Sequence, residues 1–92
     1  NKNLIIKNNS KLYFIYLPEY NRYKVKYDNT NYNLVKNIVE YLNIPFIDVH
    51  KELFEKHHNP LSLFSNSKKK GIYHYNENGY KEVANLIFKM VN

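Results

Sequence analysis

The run Lys11-Leu12-Tyr13-Phe14-Ile15-Tyr16-Leu17, stopped by Pro18, constrains the fold more than any other stretch. It is almost continuously apolar and aromatic rather than alternating, which is the pattern of a strand covered on both faces. Pro18 has no N–H to offer a ladder and marks the strand's exit. Asn31 to Asn43 then carries Leu34, Val35, Ile38, Val39 and Leu42 at helical spacing, with Lys36, Asn37 and Glu40 turned to water. Asn29, Thr30 or Asn31 supplies an N-cap, Asn43 suits a left-handed terminator, and Pro45 prevents continuation. Pro45 to Val49 reads as a second, short strand. Strand, helix and strand in that order predict a right-handed crossover and a parallel pair. In such sheets ligands bind beyond the carboxyl ends of the strands.

The flanking stretches are less regular. Asn1 to Asn9, with Leu4-Ile5-Ile6 before a polar run, reads as the end of a helix and a turn. Glu19 to Thr30 is a polar loop carrying Arg22 and the tyrosines Tyr20, Tyr23 and Tyr27, which cover the flank of the sheet or line a substrate entrance. His50 to His58 reads as a short helix with Leu53 and Phe54 inward, ended by Asn59-Pro60. Leu61, Leu63 and Phe64 then anchor the loop Ser65 to Lys70.

The chemistry concentrates in Gly71-Ile72-Tyr73-His74-Tyr75-Asn76-Glu77-Asn78-Gly79-Tyr80. Asn76 is an N-cap residue, because its side-chain oxygen can accept from an N–H of the first helical turn. Glu77 meets the positive end of the helix dipole and has Lys81 one turn on. Val83, Ala84, Ile87, Met90 and Val91 mark the apolar face of the helix that follows, and Tyr80 packs under the loop. His74 is thereby placed at the mouth of a loop with a packed helix behind it. That suits a general base, whose backbone must be fixed while its imidazole stays open.

From His74 onward, His-Tyr-Asn-Glu-Asn-Gly-Tyr resembles the last block of the SGNH (GDSL-type) serine hydrolases. There an Asp-x-x-His-x-Asn-x-x-Gly-Tyr-like segment carries the catalytic histidine just before the C-terminal helix. The match is strong over roughly the last fifth of the chain. The Leu17-Pro18 strand end, the Ile47-Asp48 pair and the Pro60-x-x-Leu63-Phe64 anchor fit more loosely. The resemblance implies an α/β, three-layer, flavodoxin-like parallel sheet, with residues 1–92 as the C-terminal part of a single domain. It implies an esterase or acetylhydrolase without cofactor, acting on an ester such as an acylated glycan or lipid. His74 would be general base and acid. The serine nucleophile and the oxyanion donors would lie upstream, because Ser10, Ser62, Ser65 and Ser67 have no Gly-Asp-Ser elbow around them. The family's acid, three residues before the histidine, falls on Gly71. Three substitutes for it stand open: a backbone carbonyl near Lys70 or Gly71 orients the ring, or Asp48 does so instead of capping the next helix, or activity is lost. Of Tyr73 and Tyr75, one packs inward and one shapes the acyl pocket.

Composition narrows the alternatives. The 92 residues carry a net charge of +6 and no cysteine, which excludes disulfides and thiolate metal sites and leaves the compartment open. The lysines are spread along the chain, and only Lys68-Lys69-Lys70 forms a run, which argues against a nucleic-acid partner. His50, His57 and His58 lack the spacing of a metal site. No apolar run approaches the length of a membrane span. Beginning at Asn1, the chain reads as a piece of a longer one, whose earlier part, or another chain, would cover the bare sheet edge. Two other readings remain: an inactive SGNH-like domain binding a carbohydrate or protein, and a small basic α/β module binding an anionic partner.

Overall fold

Two residues in the left-handed backbone region decide the N-terminal third. In a computed structural model describing residues 2–24 and 26–92, Asn9 and Ser10 have φ of 53° and 64°. Positive φ at both central positions is the geometry of a tight two-residue hairpin, whose twist matches that of its strands. Strand β1 (Lys2–Asn8) therefore folds back antiparallel on β2 (Lys11–Leu17), with Asn8 opposite Lys11 and Lys2 opposite Leu17. The expected helix end over Asn1 to Asn9 is thus corrected to a strand over the described residues 2–8, with Asn1 outside them. Ile5 and Ile6, β-branched and beside Leu4, suit the pleat better than a helix terminus.

β2 forms where expected, and Pro18 closes it. Helix α1 (Thr30–Tyr41) carries the chain across to β3 (Phe46–Asp48), which pairs parallel to β2 with Ile15 opposite Ile47. The sheet is three-stranded and mixed, in the order β1-β2-β3. This overturns the expected three-layer flavodoxin-like parallel sheet: only β2 and β3 run parallel, and the hairpin places an antiparallel strand on the other side of β2.

The helix caps mix success and correction. α1 starts without a side-chain cap from Asn29; instead Asp28 Oδ1 accepts from Thr30 N at 2.9 Å and from its hydroxyl at 2.6 Å. At the other end Asn43 takes φ of 58°, the left-handed terminator expected of it. Of the expected buried stripe of α1 only Val39 is buried, while Leu34, Ile38 and Leu42 stay at least half exposed. The helix touches β3, and its Tyr32 packs on Tyr16 of β2, but Leu34, Ile38 and Leu42 find little cover among the described residues.

The core gathers on the other side of the sheet's end. Ile15, Ile47, Val49, Phe54, Leu63, Phe64 and Val83 form one cluster, and Ile15, Val49, Phe54 and Leu63 are fully sealed. Each such side chain contributes about 2–3 kcal/mol of transfer free energy. The helix expected over His50 to His58 shortens to one wide turn (His50–Phe54), closed by Glu55 N donating to His50 O at 2.7 Å. It swings Phe54 inward, as its apolar side chain requires. A 3₁₀ turn (Pro60–Leu63) plants Leu63 and Phe64, and helix α2 (Glu77–Val91) lies against both turns, burying Val83. Ala84 and Met90, assigned to its inner face, are exposed. No helix among the described residues is long and apolar enough to cross a membrane.

Gly79 shows how closely α2 approaches the anchor. A Cβ there would overlap the Leu63 carbonyl oxygen and stand 3.1 Å from Tyr75 Cβ. Gly79→Ala is expected to lower the unfolding free energy by about 3 kcal/mol, measured by urea denaturation. A loss under about 0.5 kcal/mol would contradict this packing.

Candidate functional site

The loop that presents His74 is a second, smaller hairpin. Lys69 and Ile72 exchange backbone hydrogen bonds at 2.9 and 3.0 Å, and Phe64 bridges Tyr75. Between Lys69 and Ile72, Lys70 and Gly71 take φ of 53° and 77°. Glycine at the second of these positions is what such a turn favours. That gives a local reason for Gly71 where the SGNH pattern has an acid: the residue is committed to turning the chain.

Asn76 fastens the base of this hairpin. Its Oδ1 accepts from Gly79 N at 2.7 Å, capping α2 as expected, and its Nδ2 donates to the carbonyls of Ser62 at 2.7 Å and Phe64 at 3.0 Å. Its backbone N–H donates to Leu63 O at 3.0 Å. The His74 carbonyl accepts from Ser65 N at 2.7 Å, so the backbone of His74 is held against the Leu63–Ser65 segment.

The ring itself is left open. His74 is half-buried, and no group among the described residues hydrogen-bonds its imidazole. It stands where two clefts meet. One, of about 350 Å³, is walled by Leu17, Pro18, Phe64, Tyr73 and Glu19, so it opens at the carboxyl end of β2. The other runs past Ser65, Ser67 and Lys69. His74, Tyr75 and Tyr80 belong to both.

The flanking tyrosines divide the work. Tyr73 stacks on Tyr20 with ring centroids 4.0 Å apart and walls the first cleft. Tyr75 packs its ring against Phe54 and Phe64 and donates its hydroxyl to Pro18 O at 2.6 Å, tying the His74 loop to the end of β2. Burial pushes the Tyr75 phenol well above its ordinary pKa, so it stays a donor at every working pH. Tyr80, expected beneath the loop as a core residue, is instead 54% exposed and borders both clefts. Glu19 and Lys69 are also cleft residues that the sequence does not single out; the only signal for Glu19 is its place directly after the strand-ending Pro18.

Asp48 does not reach this site. One carboxylate oxygen accepts from Lys51 N at 3.0 Å, capping the turn that follows β3, and the other accepts from the Tyr32 hydroxyl. The capping role holds; the carboxylate has no bond to His74. Nor does any serine hydroxyl bond the ring: Ser65 Oγ donates to Ser67 O at 2.8 Å and Ser62 Oγ to Asn59 O at 2.7 Å. His57 and His58 stack on each other with centroids 5.1 Å apart, and no cluster of metal-ligating side chains occurs among the described residues.

A second polar group gathers around Asp48. The Arg22 guanidinium carbon lies 4.8 Å from the Tyr27 ring centroid and 4.7 Å from that of Tyr32. Beside it, His50 Nδ1 meets the Tyr23 hydroxyl at 2.6 Å and Nε2 meets Glu55 at 3.3 Å. Burial, reinforced by the Arg22 charge, holds the His50 pKa below its ordinary value, with Asp48 and Glu55 pulling weakly the other way.

The sign of the pH effect follows. The unfolded chain takes up this proton near pH 6.5, before the folded chain does, so His50 removes stability as pH falls below about 6.5. The melting temperature is expected to drop between pH 7.5 and 5.5, and to drop less in His50→Gln, which cannot be protonated. Equal drops in both proteins would exclude His50 as the source.

The chain matches no model of a protein family, no curated protein and no solved structure.

Proposed function

We propose that this chain is part of an SGNH-like serine esterase in which His74 is the general base. The observation that carries this reading is the imidazole itself: unpartnered among the described residues, half-buried, and opening into a cleft at the carboxyl end of β2 while its backbone carbonyl is bonded to Ser65 N. A core histidine satisfies its ring nitrogens, as His50 does; among the described residues His74 has no such partner.

In the reaction, a serine from outside these 92 residues attacks the ester carbonyl while His74 removes its proton. As the tetrahedral intermediate collapses, the imidazolium gives that proton to the departing alcohol. Water, deprotonated by the same ring, then attacks the acyl-serine, and the imidazolium returns that proton to the serine oxygen as the acid leaves. With Gly71 in the acid's position and Asp48 engaged elsewhere, the ring is oriented by its hairpin rather than by a carboxylate on either residue. A second reading, an inactive SGNH-like domain that binds an acylated carbohydrate, is favoured by Tyr73, an aromatic wall of the first cleft braced by its stack on Tyr20.

The protein carrying this segment is expected to hydrolyse p-nitrophenyl acetate, and His74→Ala to lower kcat on the order of 10³-fold with an unchanged thermal melt. Hydrolysis untouched by the substitution would remove the catalytic assignment. No hydrolysis in the parent protein, with acylated sugar still bound, would select the second reading.

A further inference from the structure

The two clefts that meet at His74 differ in chemistry. The first is walled by Leu17, Pro18, Phe64 and Tyr73, with Glu19 as its acidic rim. The second carries Ser65, Ser67 and Lys69 alongside Tyr75 and Tyr80, and so brings the lysine and serine side chains that the first lacks. Lys68 adds a further positive charge at the border, its Nζ 5.5 Å from the Tyr73 ring centroid. A ligand spanning the junction would therefore lay an apolar part on one side of the imidazole and a polar, negatively charged part on the other. Ligand sites generally combine an apolar wall with a few convergent polar groups, and here the two are separated in space.

We infer that the His74 site takes acyl derivatives of an anionic alcohol or amine, with the acyl chain in the cleft beside Tyr73 and the negative group beside Lys69. The inference rests on the reading of His74 as the centre of the site, and it adds what His74 alone cannot specify: which end of the ligand goes where. Tyr73, braced from behind by its stack on Tyr20, gives the acyl side a wall that need not be ordered on binding. Ser65 and Ser67 line the polar side, where a linking oxygen or nitrogen would pass. Lys69 sits beside the tight turn at Lys70-Gly71, so its backbone is held by the paired hydrogen bonds with Ile72 while its side chain remains exposed. An exposed ammonium adds a modest, salt-sensitive preference for an anion rather than most of the affinity. Most of the affinity comes from the apolar side.

The test is an NMR titration of the protein with N-octanoylglycine, in which an amide replaces the labile ester. The ring signals of Tyr73, His74 and Tyr80 are expected to shift together. N-octanoylglycine is expected to bind about three- to fivefold tighter than the uncharged N-octanoylglycinamide at low salt. It should bind at least about tenfold tighter than N-acetylglycine. Lys69→Gln is expected to make the acid and the amide equal while leaving the dependence on chain length. Equal binding of acid and amide by the parent protein would overturn the anionic side, and equal binding of octanoyl and acetyl compounds would overturn the acyl side. Shifts confined to residues away from Tyr73, His74 and Tyr80, or no shifts at all, would overturn the whole inference. Because the readout is binding, these failures are separate from a failure of hydrolysis: a catalytically silent protein that passes the titration keeps the site and loses only the reaction.

Discussion

One amide side chain holds the functional region together. Asn76 uses its oxygen to cap α2 and both hydrogens of its nitrogen to grip the carbonyls that precede and follow Leu63. Each of these groups would otherwise be a helix-terminal or loop group needing a partner. Because the three bonds converge on one residue, the helix start, the Leu63–Phe64 anchor and the His74 hairpin cannot shift independently. Gly79 completes the arrangement from below, since only a residue without a side chain lets α2 come this close to Leu63. The catalytic proposal depends on this rigidity, as a base that wanders loses most of the advantage of proximity.

Parts of this are legible in the sequence for definite reasons. β2 and β3 announce themselves by apolar runs ended by proline or an acidic cap, and α1 by its 3.6-residue period. The cap at Asn76 is visible because asparagine directly before Glu77 and a periodic apolar run is the pattern of a helix start. β1 escapes such reading because Leu4-Ile5-Ile6 is too short for its period to separate strand from helix, and the deciding signal, Asn9-Ser10 in the left-handed region, is weak without glycine. The fold class goes wrong with it, since the hairpin makes the sheet mixed. For α1, periodicity correctly locates the helix but cannot say how much of its apolar face finds a neighbour; Leu34, Ile38 and Leu42 find little. Tyr80 is hard to place for a similar reason, because a tyrosine at the first turn of a capped helix can lean either way, and here it leans over the clefts.

The two histidines His50 and His74 show how environment decides whether an imidazole is enclosed by partners or left open to a cleft. His50 has both ring nitrogens engaged, sits among Tyr23, Arg22 and Glu55, and has its pKa lowered chiefly by burial. His74 has its backbone carbonyl bonded to Ser65 N and its ring without a hydrogen-bond partner among the described residues. Gly71 fits the same division. Its positive φ turns the hairpin that carries the histidine, so the position serves presentation rather than charge. Tyr75 links the two regions mechanically, with its ring in the Phe54–Phe64 core and its hydroxyl on the strand end at Pro18.

The claim that Asn76 clasps the His74 loop as a unit is tested most directly by native-state amide hydrogen exchange. The N–H groups of Ser65, Asn76 and Gly79 bond to His74 O, Leu63 O and Asn76 Oδ1 respectively. If the clasp opens as one piece, these three amides exchange with the same protection, well above that of Ser67 in the exposed loop. Three unrelated protection factors, or exchange at the rate of an unstructured chain, would show that the loop is not held and that His74 is not posed for catalysis.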